Sequence, residues 1–175
     1  MTEPTELVSL LDNDGTVIGT ADKLAVHTTE TPLHLAFSCH VFNVDGDVLV
    51  TRRALSKRTW PGVWTNSFCG HPTPGEPMED AVRRRAAAEL GIAIEGLSLV
   101  LPEFRYRAVD ASGIAENEVC PVYRATTRDE VTPNPEEVVE FEWVSPESLQ
   151  ASVSATPFAF SPWIVLQLDA GALEL

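Results

Sequence analysis

Apolar residues fall along this chain in short stretches separated by Asp, Asn, Gly and Pro, the pattern of a strand-rich domain. Leu7 to Leu11, the turn Asp12-Asn13-Asp14-Gly15 and then Val17-Ile18 read as a strand, a turn and a second strand. His34 to Val44 reads as one buried strand, Asp45-Gly46-Asp47 as a hairpin turn, and Val48 to Arg52 as the returning strand. Val63 to Cys69 forms another short strand before a loop rich in Gly and Pro. Strand patterns recur at Ser98 to Leu101, Phe104 to Val109, Asn117 to Arg124 and Val139 to Val144. The clearest helix is Pro77 to Leu90: proline opens it, Glu79 and Asp80 favour its positive end, and Val82, Ala86 and Leu90 make an apolar stripe. Gly91 stops it, and Ser145-Pro146-Glu147 and Ser161-Pro162 open two shorter helices. Many strands with few helices and no repeat or linker predict one α+β domain over residues 1–175, with mixed or antiparallel sheets packed against helices.

Composition narrows the class. With 44% hydrophobic and 22% charged residues, the 175-residue chain has the balance of a globular domain with one core. No apolar run approaches the roughly 18 residues needed to span a bilayer, and the acidic start Met1-Thr2-Glu3-Pro4-Thr5-Glu6 lacks the basic character of a secretion signal. A cytoplasmic protein is therefore expected. A net charge of -14 disfavours nucleic acid and anionic membrane as partners. The cations are uneven: Arg52, Arg53, Lys57 and Arg58 lie close together, and Arg83, Arg84 and Arg85 are consecutive. Such clusters on an acidic chain suit a small anionic ligand, although the same charges also read as plain solvation. Three cysteines, Cys39, Cys69 and Cys120, argue against a disulfide scaffold.

From Gly70 the sequence runs Gly70, five residues, Glu76, seven residues, Arg84, then Ala86, Glu89, Gly91 and Ile92. This resembles the Nudix box, a loop-helix-loop unit in which the glycine lets the loop turn, Glu76 pairs with Arg84, and helix carboxylates hold Mg²⁺ near a diphosphate. The departures matter. Arg85 and Ala88 stand where the family has glutamates, so Glu89 alone remains of the three acidic helix positions. Hydrolysis of a diphosphate in this family depends on the full acidic set, so pyrophosphohydrolysis is not expected. Arg85 and Glu89 are four apart and share a helix face, suited to phosphate and Mg²⁺ together; in an isolated helix they would read as a surface salt bridge.

Further stretches resemble the type I isopentenyl diphosphate isomerases, a family with the Nudix fold. They include Trp60-Pro61-Gly62-Val63-Trp64-Thr65-Asn66-Ser67-Phe68-Cys69-Gly70-His71-Pro72, Thr51-Arg52-Arg53-Ala54-Leu55-Ser56-Lys57, Glu116-Asn117-Glu118-Val119-Cys120-Pro121 and Phe160-Ser161-Pro162-Trp163. The resemblance implies an enzyme that interconverts isopentenyl and dimethylallyl diphosphate through a carbocation, in isoprenoid biosynthesis, as a monomer or homodimer.

It also implies the site. His27, His34 and His71 with Glu116 and Glu118 match the ligands of a mixed N/O metal site for Mn²⁺ or Zn²⁺. On a strand, Glu116 and Glu118 project from one face. Glu89 and the Cys69 backbone carbonyl match the holders of Mg²⁺, and Lys23, Arg53, Lys57 and Arg85 the residues that grip the diphosphate. Cys69 and Glu118, the latter assisted by Tyr106, match the two proton-transfer groups, and Trp163 the aromatic face that steadies the cation. A thiol beside metal and histidine is expected to have a lowered pKa. Cys39 and Cys120 read as core, and His40 as an ordinary histidine outside the metal set. Two other readings remain open: a Nudix hydrolase, which would release phosphate, and a Nudix-like binding module without turnover.

Overall fold

The computed structural model describes residues 6–174; the acidic start, Met1 to Thr5, lies outside them. Strands β1 (Leu7–Leu11) and β2 (Val17–Asp22) form the expected antiparallel hairpin. A short helix α1 (Lys23–Val26) follows, capped by the Asp22 side chain accepting from Leu24 N–H; its one turn was too brief to leave a periodic signal. The segment read as one strand from His34 is two, β3 (His34–Leu35) and β4 (Phe37–Phe42). After β5 (Val48–Arg53), the stretch before the box is also two short strands, β6 (Trp64–Thr65) and β7 (Phe68–Gly70). Helix α2 (Met78–Leu90) comes next, then β8 (Glu95–Leu101), β9 (Arg105–Val109), β10 (Ala115–Val119), β11 (Val122–Thr126), β12 (Val138–Val144), α3 (Pro146–Ala155) and α4 (Pro162–Asp169). The result is the expected α+β class, with mixed sheets.

Two sheets organise the molecule. One has the order β2-β1-β3-β10-β9; the other has β12-β5-β4-β11-β8, with β6 on β5 and β7 on β4. The breaks at Ala36 and at Cys120-Pro121 are where the chain steps from one sheet to the other. Pro121 has no N–H with which to continue a ladder, and its carbonyl instead accepts from Ser38 N–H at 3.1 Å. Ala36 N–H bonds the Val119 carbonyl at 2.9 Å, so the two crossings run side by side. The pairs β3/β10 and β4/β11 are consequently parallel, and the first sets Glu118 opposite His34. This juxtaposition of residues 84 positions apart exists only because both segments cross together.

Helix α2 closes one face of the larger sheet. Its stripe Val82, Ala86 and Leu90 is fully buried against Phe37, Phe68 and Ile92. Truncating a buried leucine such as Leu90 to alanine costs about 2–5 kcal/mol. Gly91 ends the helix at φ 67, and a Cβ there would meet the Thr132 carbonyl oxygen at 2.8 Å. Gly70 is required for a different reason from the one the box implied. Its backbone needs no left-handed conformation, but a Cβ would sit 2.8 Å from both Phe37 and the Arg85 stem, so glycine lets α2 lie against β7. Helices α3 and α4 pack Leu149, Val153, Ile164 and Leu168 on Val48 and Val50 of the other face. Among the described residues no helix is long and apolar enough to cross a membrane.

Candidate active site and metal centre

Between the sheets and α2 lies a cavity of about 340 Å³. Every expected site residue lines it except His34, which is fully buried behind its wall. Strand β10 supplies one side. Its alternation turns Glu116 and Glu118 inward, while Asn117 turns away to donate to the Thr31 carbonyl at 3.1 Å.

Nitrogen atoms of His27, His34 and His71 and a Glu118 oxygen lie within 4.8 Å of one another. Glu116 stands just outside this group, with one oxygen 2.9 Å from His27 Nε2 and the other accepting from Thr59 Oγ1 at 2.7 Å. The tautomer of His34 follows from its neighbour: Nδ1 lies 2.9 Å from the Pro32 carbonyl, which can only accept, so Nδ1 carries hydrogen. In the neutral ring, Nε2 is then a lone pair, yet it points at Glu118 Oε1, 3.4 Å away. The Nε2 atoms of His27 and His34 are buried and make no hydrogen bond. His71 Nε2 lies 3.1 Å from the same Glu118 oxygen, and an imidazole lone pair facing a carboxylate is relieved by a cation between them. The donor set therefore fits a divalent ion bound by imidazole and carboxylate.

The electrostatics agree. Burial works to raise the Glu118 pKa, but His34 and His71 hold it well below the usual carboxylate range. Burial works to lower His34, and Glu118 raises it. His71 is lowered, chiefly by burial. Tyr106 donates to Glu118 Oε2 at 2.9 Å, and burial with the two nearby carboxylates raises its phenol well above the ordinary value.

Cys69 is partly open to the cavity. The lowered pKa expected for it is not what its protein neighbours produce: burial pushes the thiol up to about 12, with Ser38 and Asn66 opposing and Glu118 reinforcing. The protein groups alone thus leave Cys69 a thiol and Glu118 a carboxylate.

The other end of the cavity is built on α2 and the loop before β12. Arg85 pairs with Glu89 one turn along the helix and with Glu137 at 3.3 Å, and Lys57 pairs with Glu137. The other arginines of the run go elsewhere: Arg83 to the Ile94 carbonyl, and Arg84 to Glu76, as the box implied. Lys23 reaches the rim and pairs with Glu6 at 2.6 Å. Arg53 lies 5.2 Å from the Trp163 ring centre and donates to the carbonyls of Thr59 and Trp60. Trp60, at φ 42, is the one non-glycine residue with positive φ among the described residues, and its ring meets Trp163 edge-on at 5.4 Å. Cys39 and Cys120 are buried, as expected.

Sequence reasoning missed several residues at the site: Glu137, Thr59, Ser38, Asn66 and Gln167. Only Asn66 stood inside a recognised motif; the others reach the site through tertiary contacts that no local pattern marks.

The NUDIX domain family matches residues 32–164. An isopentenyl-diphosphate Delta-isomerase of Clavibacter michiganensis subsp. michiganensis is 63% identical over 168 residues, covering 96% of this chain and 87% of that protein. One of Leifsonia xyli subsp. xyli is 62% identical, covering 97% and 93%, and one of Corynebacterium glutamicum is 56% identical, covering 99% and 95%. Among solved structures, DR0079 from Deinococcus radiodurans superposes with a TM-score of 0.65 at 25% identity, covering 86% of this chain and 90% of that one. The MutT protein from Methanosarcina mazei Go1 does so with a TM-score of 0.55 at 21% identity, covering 70% and 83%.

Proposed function

Because the chain belongs to the NUDIX family and, within it, to the isopentenyl-diphosphate Delta-isomerases, we propose that it moves the double bond between isopentenyl and dimethylallyl diphosphate in the described cavity. The observation that carries this reading is the presence of Cys69, Glu118 and Tyr106 around one cavity whose α2 keeps only Glu89 of the acidic positions of the box.

The chemistry needs a proton at one end of the allylic unit and loss of another elsewhere. In the forward direction Glu118, assisted by the Tyr106 hydroxyl, gives a proton to the terminal alkene carbon. The tertiary cation then loses a proton, from the carbon nearer the diphosphate, to Cys69. This leaves Glu118 as carboxylate and Cys69 as thiol, the inventory its own neighbours favour, so the reverse reaction starts from that state. Trp163, 97% buried, presents a ring face that steadies a desolvated cation by about 2 kcal/mol. Water must be excluded from the cavity once substrate fills it, or the cation would be quenched.

His27, His34, His71, Glu116 and Glu118 would hold a Mn²⁺ or Zn²⁺ ion, which orients Glu118 and favours its charged form. Lys57 and Arg85 with Glu89 and Glu137 sum to zero formal charge. A diphosphate gains strong attraction at that end only when a divalent cation enters with it, which supports Mg²⁺ held by Glu89 and the Cys69 carbonyl. Arg53 adds positive charge at the rim, and Lys23 would do so by exchanging Glu6 for the diphosphate. The whole chain acts as one domain, and its three free cysteines suit a cytoplasmic setting.

The test is incubation of purified protein with isopentenyl diphosphate and Mg²⁺, without flavin or nicotinamide, followed by proton NMR. Dimethylallyl diphosphate should form and, in D₂O, carry deuterium. Inorganic phosphate as the main product would favour hydrolysis instead.

A further inference from the structure

A buried chain of hydrogen bonds leads away from Cys69 into the core. Cys69 Sγ lies 3.2 Å from Ser38 Oγ and 3.3 Å from Asn66 Oδ1. Ser38 Oγ receives the Gln167 side-chain N–H at 2.8 Å, and Gln167 Oε1 lies 3.0 Å from His40 Nε2. Ser38, His40 and Gln167 are each 0% exposed. Nothing in the proton-transfer scheme uses them.

The directions of the bonds from His40 through Gln167 to Ser38 follow by elimination. His40 Nδ1 is buried with no partner. An unpaired N–H is costlier to bury than an unpaired lone pair, so the hydrogen of neutral His40 is on Nε2. Burial keeps the ring neutral by lowering its pKa to about 4. His40 therefore donates to Gln167 Oε1, which leaves Gln167 Nε2 to donate to Ser38. Ser38 also lies 3.4 Å from Cys120 Sγ, a longer contact than the 3.2 Å to Cys69. With Gln167 donating to Ser38, the single Ser38 hydrogen is free to turn to the nearer sulfur, Cys69. Cys69 directs its own S–H at Asn66 Oδ1, which also accepts from Trp163 Nε1 at 3.0 Å. Trp163 and Gln167 are four apart on α4 and share a face, so one helix anchors both arms that hold the sulfur.

We propose that Gln167 is a positioning residue for Cys69: held by His40, it turns the Ser38 hydroxyl so that a hydrogen bond always faces the cysteine sulfur. The Asn66 oxygen can only accept, so when Cys69 gives up its proton the Ser38 hydroxyl is the one neighbour in this chain able to donate to it. Loss of that donor withdraws stabilisation from one of the two proton states the reaction alternates between. It leaves the diphosphate-binding end untouched.

This inference rests on the reading of Cys69 as a proton-transfer group, and the test separates the two. Ser38→Ala removes the donor with little change in volume and should lower kcat about 10- to 100-fold with KM within about twofold. Gln167→Met should lower kcat similarly, and adding it to Ser38→Ala should cause little further loss, because Gln167 acts only through Ser38. Ser38→Thr, which keeps a hydroxyl, should recover most of the kcat. Thermal midpoints establish that each variant is folded; if Gln167→Met does not fold, Ser38→Ala and Ser38→Thr decide. Wild-type kcat in folded Ser38→Ala, or fully additive losses in the double variant, would overturn the proposal. An inactive wild-type protein, or a Cys69→Ser variant with full turnover, would overturn the functional reading instead.

Discussion

The two ends of the cavity are satisfied in opposite ways. At the imidazole end, His27 and His34 aim Nε2 atoms at carboxylates, and neither atom makes a hydrogen bond. At the guanidinium end the charges on α2 and the loop before β12 that face one another are already paired: Arg85 with Glu89 and Glu137, and Lys57 with Glu137. The first arrangement is incomplete without a cation and is positioned to keep one between turnovers. The second is a closed set of ion pairs that must open for a diphosphate to enter. Burial outweighs Arg85 at Glu89 and raises its pKa, whereas Lys57 and Arg85 overcome burial at Glu137 and lower it. On the proposed function, the first end would hold a resident ion and the second an ion that arrives with its ligand.

Variants that damage only one end should separate these roles. The largest effect is expected from Glu118→Gln, which removes a proton carrier and alters a ligand of the imidazole cluster together. Turnover should fall by about 10³-fold or more, with a loss of bound metal visible in elemental analysis. Cys69→Ser, which leaves both ends intact, should lose about 10²-fold or more in kcat while still folding and binding substrate. An alkylating diphosphate analogue should label Cys69 and spare the buried Cys39 and Cys120, as peptide mass spectrometry would show. Glu89→Gln should act on the other end alone. It should weaken diphosphate binding by about tenfold in a Mg²⁺ titration and leave the metal content of the purified protein unchanged.

The legible parts of this molecule are those encoded over a few residues. The apolar stripe of α2, its Gly91 stop, the Glu76–Arg84 pair and the Arg85–Glu89 face all follow from spacing on one helix, and all are present. The β10 alternation that turns Glu116 and Glu118 to one face was legible for the same reason. The sheet changes at Ala36 and Pro121 were not, because an apolar run looks the same whether it stays in one sheet or crosses to another. The motif resemblance supplied the histidines, whose convergence depends on that crossing. Glu137, Ser38 and Gln167 lay beyond both routes: each meets the site from a segment whose own pattern reads as loop, strand core or helix core. The lowering expected at Cys69 belongs to a thiol beside a metal; the protein groups alone raise it, because burial and the Glu118 charge outweigh its two hydrogen bonds.

A smaller effect concerns the one imidazole that belongs to neither end. The unfolded chain binds a proton at His40 below about pH 6.5, but the folded chain, with Arg124 adding to the penalty of burial, does not until about pH 4. More protons on the unfolded state mean stability falls as pH drops through that window, by up to about 3 kcal/mol. Urea denaturation from pH 7 to 4 should show this acid loss reduced in His40→Gln, which keeps an N–H donor for Gln167. Parallel curves for the two proteins would remove His40 from the account.

The contrast between the ends is tested most directly by counting metal ions in the purified protein, by native mass spectrometry, with Mg²⁺ present and before and after a non-reactive diphosphate is added. The account predicts one tightly held ion beforehand, lost in His71→Ala, and a second that appears only with the diphosphate and fails to appear in Glu89→Gln. Two ions without diphosphate, or none until it is added, would contradict it.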